Sequence, residues 1–154
     1  MDWSDVTRRV VVEAAAPHPQ DVVVVLGDDP ALVAALAPRV ARVEVRALSA
    51  AAAPFRPGTS VVVLHDHLRR LRPADQEALL LDLGRRLPAR ALLVVGDVMW
   101  SVPKKDVDEP EQFGDAIEHA PTVAVVERWA RAAGFLPDVH RFGVGRAVCV
   151  ALKG

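Results

Sequence analysis

Polar side chains that could do chemistry follow three apolar runs of the sequence. Asp28 and Asp29 come after the first run, the tripeptide His65–His67 after the second, and Asp97 after the third. Carboxylates and imidazoles act as general acids and bases, and they bind amines and metal ions. If the three runs are parallel strands, their carboxyl ends meet at the edge of the sheet where such folds bind ligands. The sequence therefore predicts a polar site at that edge.

Each polar group also has a plainer interpretation. His65 and His67 would face one side of an extended segment and could both bind a metal, but two ligands do not make a zinc site, and we predict none. Asp97 is a candidate general base or substrate contact, or else a solvated acid that caps its turn. Asp28 could attract a cation or an amine. Asp29 precedes Pro30, which is typical of a helix start with a carboxylate cap.

The elements that must position these residues can be predicted from hydrophobic periodicity. Residues 21–48 give the opening unit: a valine-rich strand, a turn at Gly27, a short helix and a second strand. The remaining predicted helices are Trp3–Ala16, with Ser4 as its cap, a long one from Pro73, and Val123–Ala133; the remaining strands are Val61–Leu64, Arg90–Val95, Val139–Phe142 and Ala147–Leu152. This order predicts an α/β fold: a mostly parallel, Rossmann-like sheet of about six strands with a C-terminal antiparallel hairpin and helices on both faces.

One domain, residues 1–154, is expected from the length of the chain. Within it, residues 101–121 are polar, acidic and interrupted by three prolines. A segment of this length is too long for a passive connection in a compact domain. We predict a lid or mobile loop, which Trp100 and Phe113 could anchor.

Composition excludes several classes of function. The net charge is −1, so no positive electrostatic field favours nucleic-acid binding. There is also no tyrosine to provide aromatic rings on which bases could stack. No apolar run is long enough to span a bilayer, and no signal pattern opens the chain. Cys149 is the only cysteine, which rules out an internal disulfide. We expect a cytoplasmic protein that binds neither membranes nor nucleic acids.

The chain resembles the class I S-adenosylmethionine-dependent methyltransferases. The resemblance is closest in SVVVLHDHLRRLRPADQEALLLDLGRRLPARALLVVGDVMW, and it includes the helix that leads into DVVVVLG and the segment TVAVVERWARAAGF before the hairpin. It implies S-adenosylmethionine as cofactor and a small molecule as methyl acceptor. The cofactor positions that it implies are Gly27, Asp28, Leu48, Leu64 and His65, and its catalytic candidates are His65 and Asp97.

Departures from the family pattern imply a trimmed, degenerate relative. The acid expected in strand one falls at Val25, and the acid expected after strand two falls within Arg46–Leu48. Only residues 48–60 connect strands two and three, which leaves strand two as a free edge. The alternative function is therefore a non-catalytic binding or oligomerising module, and the free edge predicts a homodimer.

Overall fold

The computed structural model describes residues 2–48, 54–101, 119–142 and 145–154 of the 154-residue chain. Its helices are α1 (Trp3–Ala15), α2 (Pro30–Leu36), α3 (Pro73–Arg86) and α4 (Val123–Ala132). Its strands are β1 (Val22–Leu26), β2 (Arg42–Arg46), β3 (Val61–His65), β4 (Leu92–Val98), β5 (Phe135–Phe142) and β6 (Arg146–Lys153). Short 3-10 turns occupy Ala37–Arg39 and Leu68–Arg70.

The six strands form one sheet in the order β2-β1-β3-β4-β6-β5. The first four are parallel, β6 runs antiparallel to β4, and β5 runs antiparallel to β6. The predicted mostly parallel sheet with a C-terminal hairpin is therefore confirmed. Strand β2 forms one edge of the sheet and β5 the other.

Helices cover both faces of the sheet, as predicted. One core cluster packs α3 and α4 against one face, through side chains such as Leu80, Leu83 and Trp129. The second cluster packs α1 and α2 against the opposite face, through Val11, Leu32 and others. Uninterrupted valines in β1 and β3 serve both clusters, because successive side chains of a strand point to opposite faces.

Local signals explain where the helices begin. Asp29 Oδ1 accepts a hydrogen bond from the Leu32 amide at 3.1 Å, with Pro30 in the first turn, so the predicted cap of α2 is confirmed. Thr122 Oγ1 caps α4 in the same way, through the Val125 amide at 3.2 Å. The predicted cap of α1 is wrong: Asp2 accepts from the Ser4 amide, and Ser4 lies inside the first turn.

Two strands run three or more residues beyond their predicted bounds. Strand β4 continues through Asp97 to Val98, because it stays paired with β6 as far as Arg146. Strand β5 begins at Phe135, directly after Gly134, whose φ of 91° turns the chain out of α4.

In the described part of the chain, none of the helices combines the length and the apolar character that crossing a membrane requires.

Gly96 decides how α1 lies on the sheet. A Cβ atom at this position would meet Val11 Cγ2 at 2.3 Å. The missing side chain therefore lets α1 pack directly on β4. As a result, the first turn of α1 lies over the carboxyl end of β3, where the candidate site is found.

Candidate functional site

His65 ends β3 and is buried, with 3% of its surface exposed. Its Nδ1 lies 2.5 Å from Asp29 Oδ2, and its Nε2 lies 3.1 Å from the Ser4 carbonyl oxygen. Asp29 thus has two roles, since its other oxygen caps α2. A carboxylate at one ring nitrogen orients the imidazole, and here the other nitrogen faces the Ser4 carbonyl oxygen.

Asp66 follows in the left-handed region, with φ of 59°, a conformation uncommon outside glycine. Its Oδ1 accepts from Arg146 Nη1 at 2.7 Å and from Arg69 Nη1 at 2.9 Å, and its Oδ2 accepts from the Ser4 hydroxyl. Burial by itself raises the pKa of Asp66, but the charge of His65, the Ser4 hydroxyl and the two arginines outweigh burial, so that the pKa is lowered. Asp66 is therefore a buried anion that joins α1, β3 and β6.

Asp97 has no exposed surface, so the interpretation as a solvated acid is wrong. Its Oδ1 accepts from Arg69 Nη1 at 2.8 Å and from the Val98 amide at 2.7 Å, and its Oδ2 accepts from the Arg69 amide at 3.0 Å. Burial raises the pKa of Asp97, and the Arg69 guanidinium opposes that rise. The carboxylate holds Arg69, which in turn holds Asp66, so this geometry gives Asp97 a positioning role.

Gly27 turns the chain after β1 with φ of 89°. The imidazole of His67 lies against its open side: a Cβ atom on residue 27 would meet His67 Cδ2 at 2.5 Å. His67 Nε2 also lies 3.1 Å from the Asp28 carbonyl oxygen, to which it can donate. The ring therefore fills the space that the glycine leaves.

A polar cavity of about 220 Å³ lies between the first turn of α1, the turn after β1 and the end of β3. Carboxylates, guanidinium groups and imidazoles surround it; they belong to Asp28, Asp29, Asp66, Arg8, Arg70, His65 and His67. Drug-sized ligands usually occupy about 300–1,000 Å³, so this cavity suits an amino-acid-sized group. Its mixed charge suits a zwitterion.

At the end of β2, the guanidinium group of Arg46 is buried against the ring of Phe55. Arg46 is 8% exposed, and its guanidinium carbon lies 4.5 Å from the centre of the Phe55 ring. Its Nη2 donates to Glu44 Oε1 at 3.2 Å and to the Pro54 carbonyl oxygen at 3.1 Å. A base stacked on an aromatic ring therefore stands where the resemblance implies an acid.

The structure brings only some of the predicted site residues together. His65 and Asp28 line the cavity, and His67 separates Gly27 from it. Leu64 is fully buried, and Leu48 packs against the same core cluster on the α3 and α4 side. Asp97 lies behind Asp66, to which Arg69 connects it.

Several cavity or network residues were missed from the sequence. The local pattern of Ser4 is that of a helix cap. Arg69 and Arg70 have the pattern of solvated surface charges, and Arg146 has that of a hairpin residue. Arg69 is instead engaged by two carboxylates. Only a pairing of β6 with β4 brings Arg146 to Asp66, which is 80 positions earlier, and no local pattern signals such a contact.

The lid prediction falls on residues 101–121, of which 102–118 lie outside the described residues. The two ends of the segment are held side by side. The Trp100 amide donates to the Pro121 carbonyl oxygen, and the Val123 amide donates to the Trp100 carbonyl oxygen, each at 2.9 Å.

In the described part of the chain, no three His, Cys, Asp or Glu side chains converge where they could hold a metal ion.

Compared by sequence, the chain matches no protein-family model and no curated protein. Compared by structure, it matches PigF with S-adenosylhomocysteine at a TM-score of 0.67 and 15% identity, over 96% of this chain and 64% of that one. A putative O-methyltransferase from Nostoc punctiforme matches at a TM-score of 0.67 and 17% identity, over 98% of this chain and 57% of that one. Human N-acetylserotonin methyltransferase in complex with S-adenosylmethionine matches at a TM-score of 0.73 and 12% identity, over 97% of this chain and 52% of that one.

These similarities show that the chain has the fold of S-adenosylmethionine-dependent methyltransferases. The chain spans between 52% and 64% of the length of these three solved structures.

Proposed function

We propose that this chain binds S-adenosylmethionine at the carboxyl edge of the sheet and methylates a hydroxyl group of a small molecule, with His65 as the general base. The single observation that carries the proposal is the buried imidazole of His65, oriented by Asp29 beside a polar cavity. The fold is that of methyltransferases, and one similar structure is a putative O-methyltransferase.

The cavity residues fit the amino-acid end of the cofactor. Asp28 and Arg70 line the cavity, and neither side chain forms an ion pair or hydrogen bond with another described residue. Asp28 would accept the ammonium group and Arg70 would bind the carboxylate, which charge-assisted hydrogen bonds favour. When bound, the cofactor supplies a methyl group that an oxygen nucleophile can attack.

His65 would take the proton of the acceptor hydroxyl at Nε2, while Asp29 holds Nδ1 and stabilises the imidazolium that forms. In the present arrangement the Ser4 carbonyl oxygen faces Nε2. The first turn of α1 must therefore withdraw before that nitrogen can accept a proton. His67 must also leave the face of Gly27 before a ligand can reach the backbone of the turn.

The alternative, a non-catalytic binding module, has its own supporting observation. At the end of β2, Arg46 and Phe55 stack where the family resemblance implies an acid for the ribose hydroxyls. Loss of a hydrogen bond to a charged group costs roughly 1.5–3 kcal/mol, which corresponds to about ten- to a hundredfold in affinity. This alternative keeps the fold and loses the cofactor.

Calorimetry with S-adenosylmethionine and S-adenosylhomocysteine tests the proposal first. We expect binding in the micromolar range. Absence of heat at millimolar ligand would refute the proposal and leave the non-catalytic module.

The second step separates binding from catalysis. With catechol and a panel of substituted phenols as acceptors, wild-type protein should transfer a labelled methyl group. With saturating cofactor, His65→Gln should lower the rate by at least about a hundredfold, because general-base catalysis contributes that much. His140→Gln is the matched control, since His140 is exposed and, among the described residues, its imidazole forms an ion pair with Asp138 alone. Equal rates in His65→Gln and wild type would remove His65 from the mechanism.

A further inference from the structure

Within the described ranges, the outer edge of β2 has backbone groups that no other strand pairs with. Toward β1, the Arg42 amide donates to the Asp21 carbonyl oxygen and the Arg46 carbonyl oxygen accepts from the Gly27 amide. Because backbone groups of a strand alternate in direction, Val43 and Val45 direct their N–H and C=O groups away from β1. None of the other described residues pairs with this edge.

The side chains along this edge are complementary to themselves. The strand has the sequence Arg-Val-Glu-Val-Arg. The Arg42 side chain is exposed and forms no ion pair or hydrogen bond with another described residue. Glu44 Oε1 accepts from Arg46, and the Glu44 side chain keeps 23% of its surface exposed, while its Oε2 is buried and has no hydrogen-bond partner among the described residues. Within the described part of a single chain, the edge thus carries one side-chain cation without a partner and one partly exposed carboxylate.

We propose that a second copy of this chain pairs antiparallel with β2, about a two-fold axis at Val43. In this register Val43 exchanges two backbone hydrogen bonds with Val43 of the partner subunit. Arg42 then lies directly opposite the partner's Glu44, and the symmetry repeats the pair. Opposite charges in such cross-strand positions stabilise an antiparallel pair, and like charges destabilise it.

Other registers fit less well. An axis at Glu44 would set the two glutamates opposite each other, and the backbone groups of Glu44 point toward β1. An axis at Val45 would set Glu44 opposite the partner's Arg46, which its own Pro54 and Phe55 already engage. The register at Val43 is the one that sets Arg42 opposite a carboxylate.

The opposite edge of the sheet is less suited to pairing. Strand β5 contains Pro137, which has no amide hydrogen to donate. Charged residues on β2 deter most foreign strands, but the same charges complement a second copy. The edge is therefore selective for self-association, and this inference does not depend on the proposed methyl transfer.

Sedimentation velocity on the full chain over a concentration series tests the proposal. Wild type should dimerise. Arg42→Glu places two carboxylates opposite each other across the interface, and Glu44→Arg places two guanidinium groups opposite each other. Each variant alone should therefore raise the dissociation constant by at least about tenfold.

An equimolar mixture of the two variants is the decisive sample. In the mixture every carboxylate of one variant meets a guanidinium group of the other, so a heterodimer should form although neither variant dimerises alone. Arg141→Glu on the opposite edge strand is the matched control and should dimerise like wild type. A monomeric wild type, a dimer that tolerates Arg42→Glu, or a mixture that stays monomeric would each overturn the proposal.

Discussion

At the scale of single residues, the tripeptide at the end of β3 carries three separate tasks. His65 completes the strand and contacts Asp29 and Ser4. Asp66 leaves the extended conformation with positive φ, so the alternation of a strand does not reach His67. His67 instead packs over Gly27 and the Asp28 carbonyl oxygen. Two histidines two positions apart therefore make different contacts, although both line the same cavity.

His67 should act against ligand binding. Replacing it by alanine removes the ring from the open side of Gly27, so a ligand no longer has to displace the hydrogen bond to Asp28, which contributes roughly 0.5–1.5 kcal/mol. We expect the affinity of His67→Ala for S-adenosylhomocysteine to rise by up to about tenfold in calorimetry. His140→Ala serves as the control. Weaker binding by His67→Ala would show instead that the imidazole contacts the ligand.

At the scale of elements, close approach between neighbours fixes the positions of the helices. Gly84 lies in the last turn of α3, although glycine has a low helix propensity. A Cβ atom there would lie 2.1 Å from the Ala133 carbonyl oxygen and 2.8 Å from the Ala133 Cβ. The end of α4 therefore packs on the backbone of α3, just as α1 packs on β4 at Gly96.

Gly84→Ala should destabilise the protein although alanine favours helix. Overpacking typically costs about 1–3 kcal/mol, whereas the gain in helix propensity is roughly 0.5–1 kcal/mol. We expect a net loss in the free energy of unfolding, measured with urea.

The control for Gly84→Ala is Ala78→Gly at an exposed position of the same helix. This change should cost only the propensity difference, roughly 0.5–1 kcal/mol. If Gly84→Ala were more stable than wild type, the close contact between α3 and α4 would not exist in solution.

At the scale of the whole molecule, one charge network crosses the carboxyl edge of the sheet. Arg69 bridges Asp66 and Asp97, and Arg146 adds a second cation from β6. Ser4 connects the network to α1. Elements far apart in the sequence are thus held together by Asp66, and removing one partner of such a buried group leaves the others unpaired.

The network should make stability depend on pH with a definite sign. The folded pKa of Asp66 is lowered from its ordinary value of 3.8. Its contribution is therefore present above pH 3.8 and is lost as the pH falls through the lower folded pKa. Asp66→Asn should be less stable than wild type near neutral pH, and the difference should shrink below pH 3.8 in urea titrations.

Asp97→Asn provides the comparison. The folded pKa of Asp97 is raised, so its titration opposes stability as the pH rises above 3.8. The stability that wild type gains over Asp97→Asn should consequently shrink as the pH rises above 3.8, whereas the stability that it gains over Asp66→Asn should grow. Parallel pH profiles for Asp66→Asn and wild type would contradict the network.

The sequence by itself determined the elements and their order. Valine runs, the Asp29-Pro30 helix start and the glycine-linked C-terminal strands are local signals, because strand burial, capping and turn geometry depend on neighbouring residues. They were sufficient to predict the mostly parallel sheet, its terminal hairpin and the edge where His65 and Asp28 meet.

Only the tertiary structure decided what those residues contact. Ser4 lies 61 positions from His65 and Arg146 lies 80 positions from Asp66, so no spacing in the sequence signals either contact. Whether Asp97 is solvated or buried depends on the pairing of β4 with β6 and on Arg69. Local chemistry fixes which groups reach the edge of the sheet, while packing across it fixes which of them a ligand can reach.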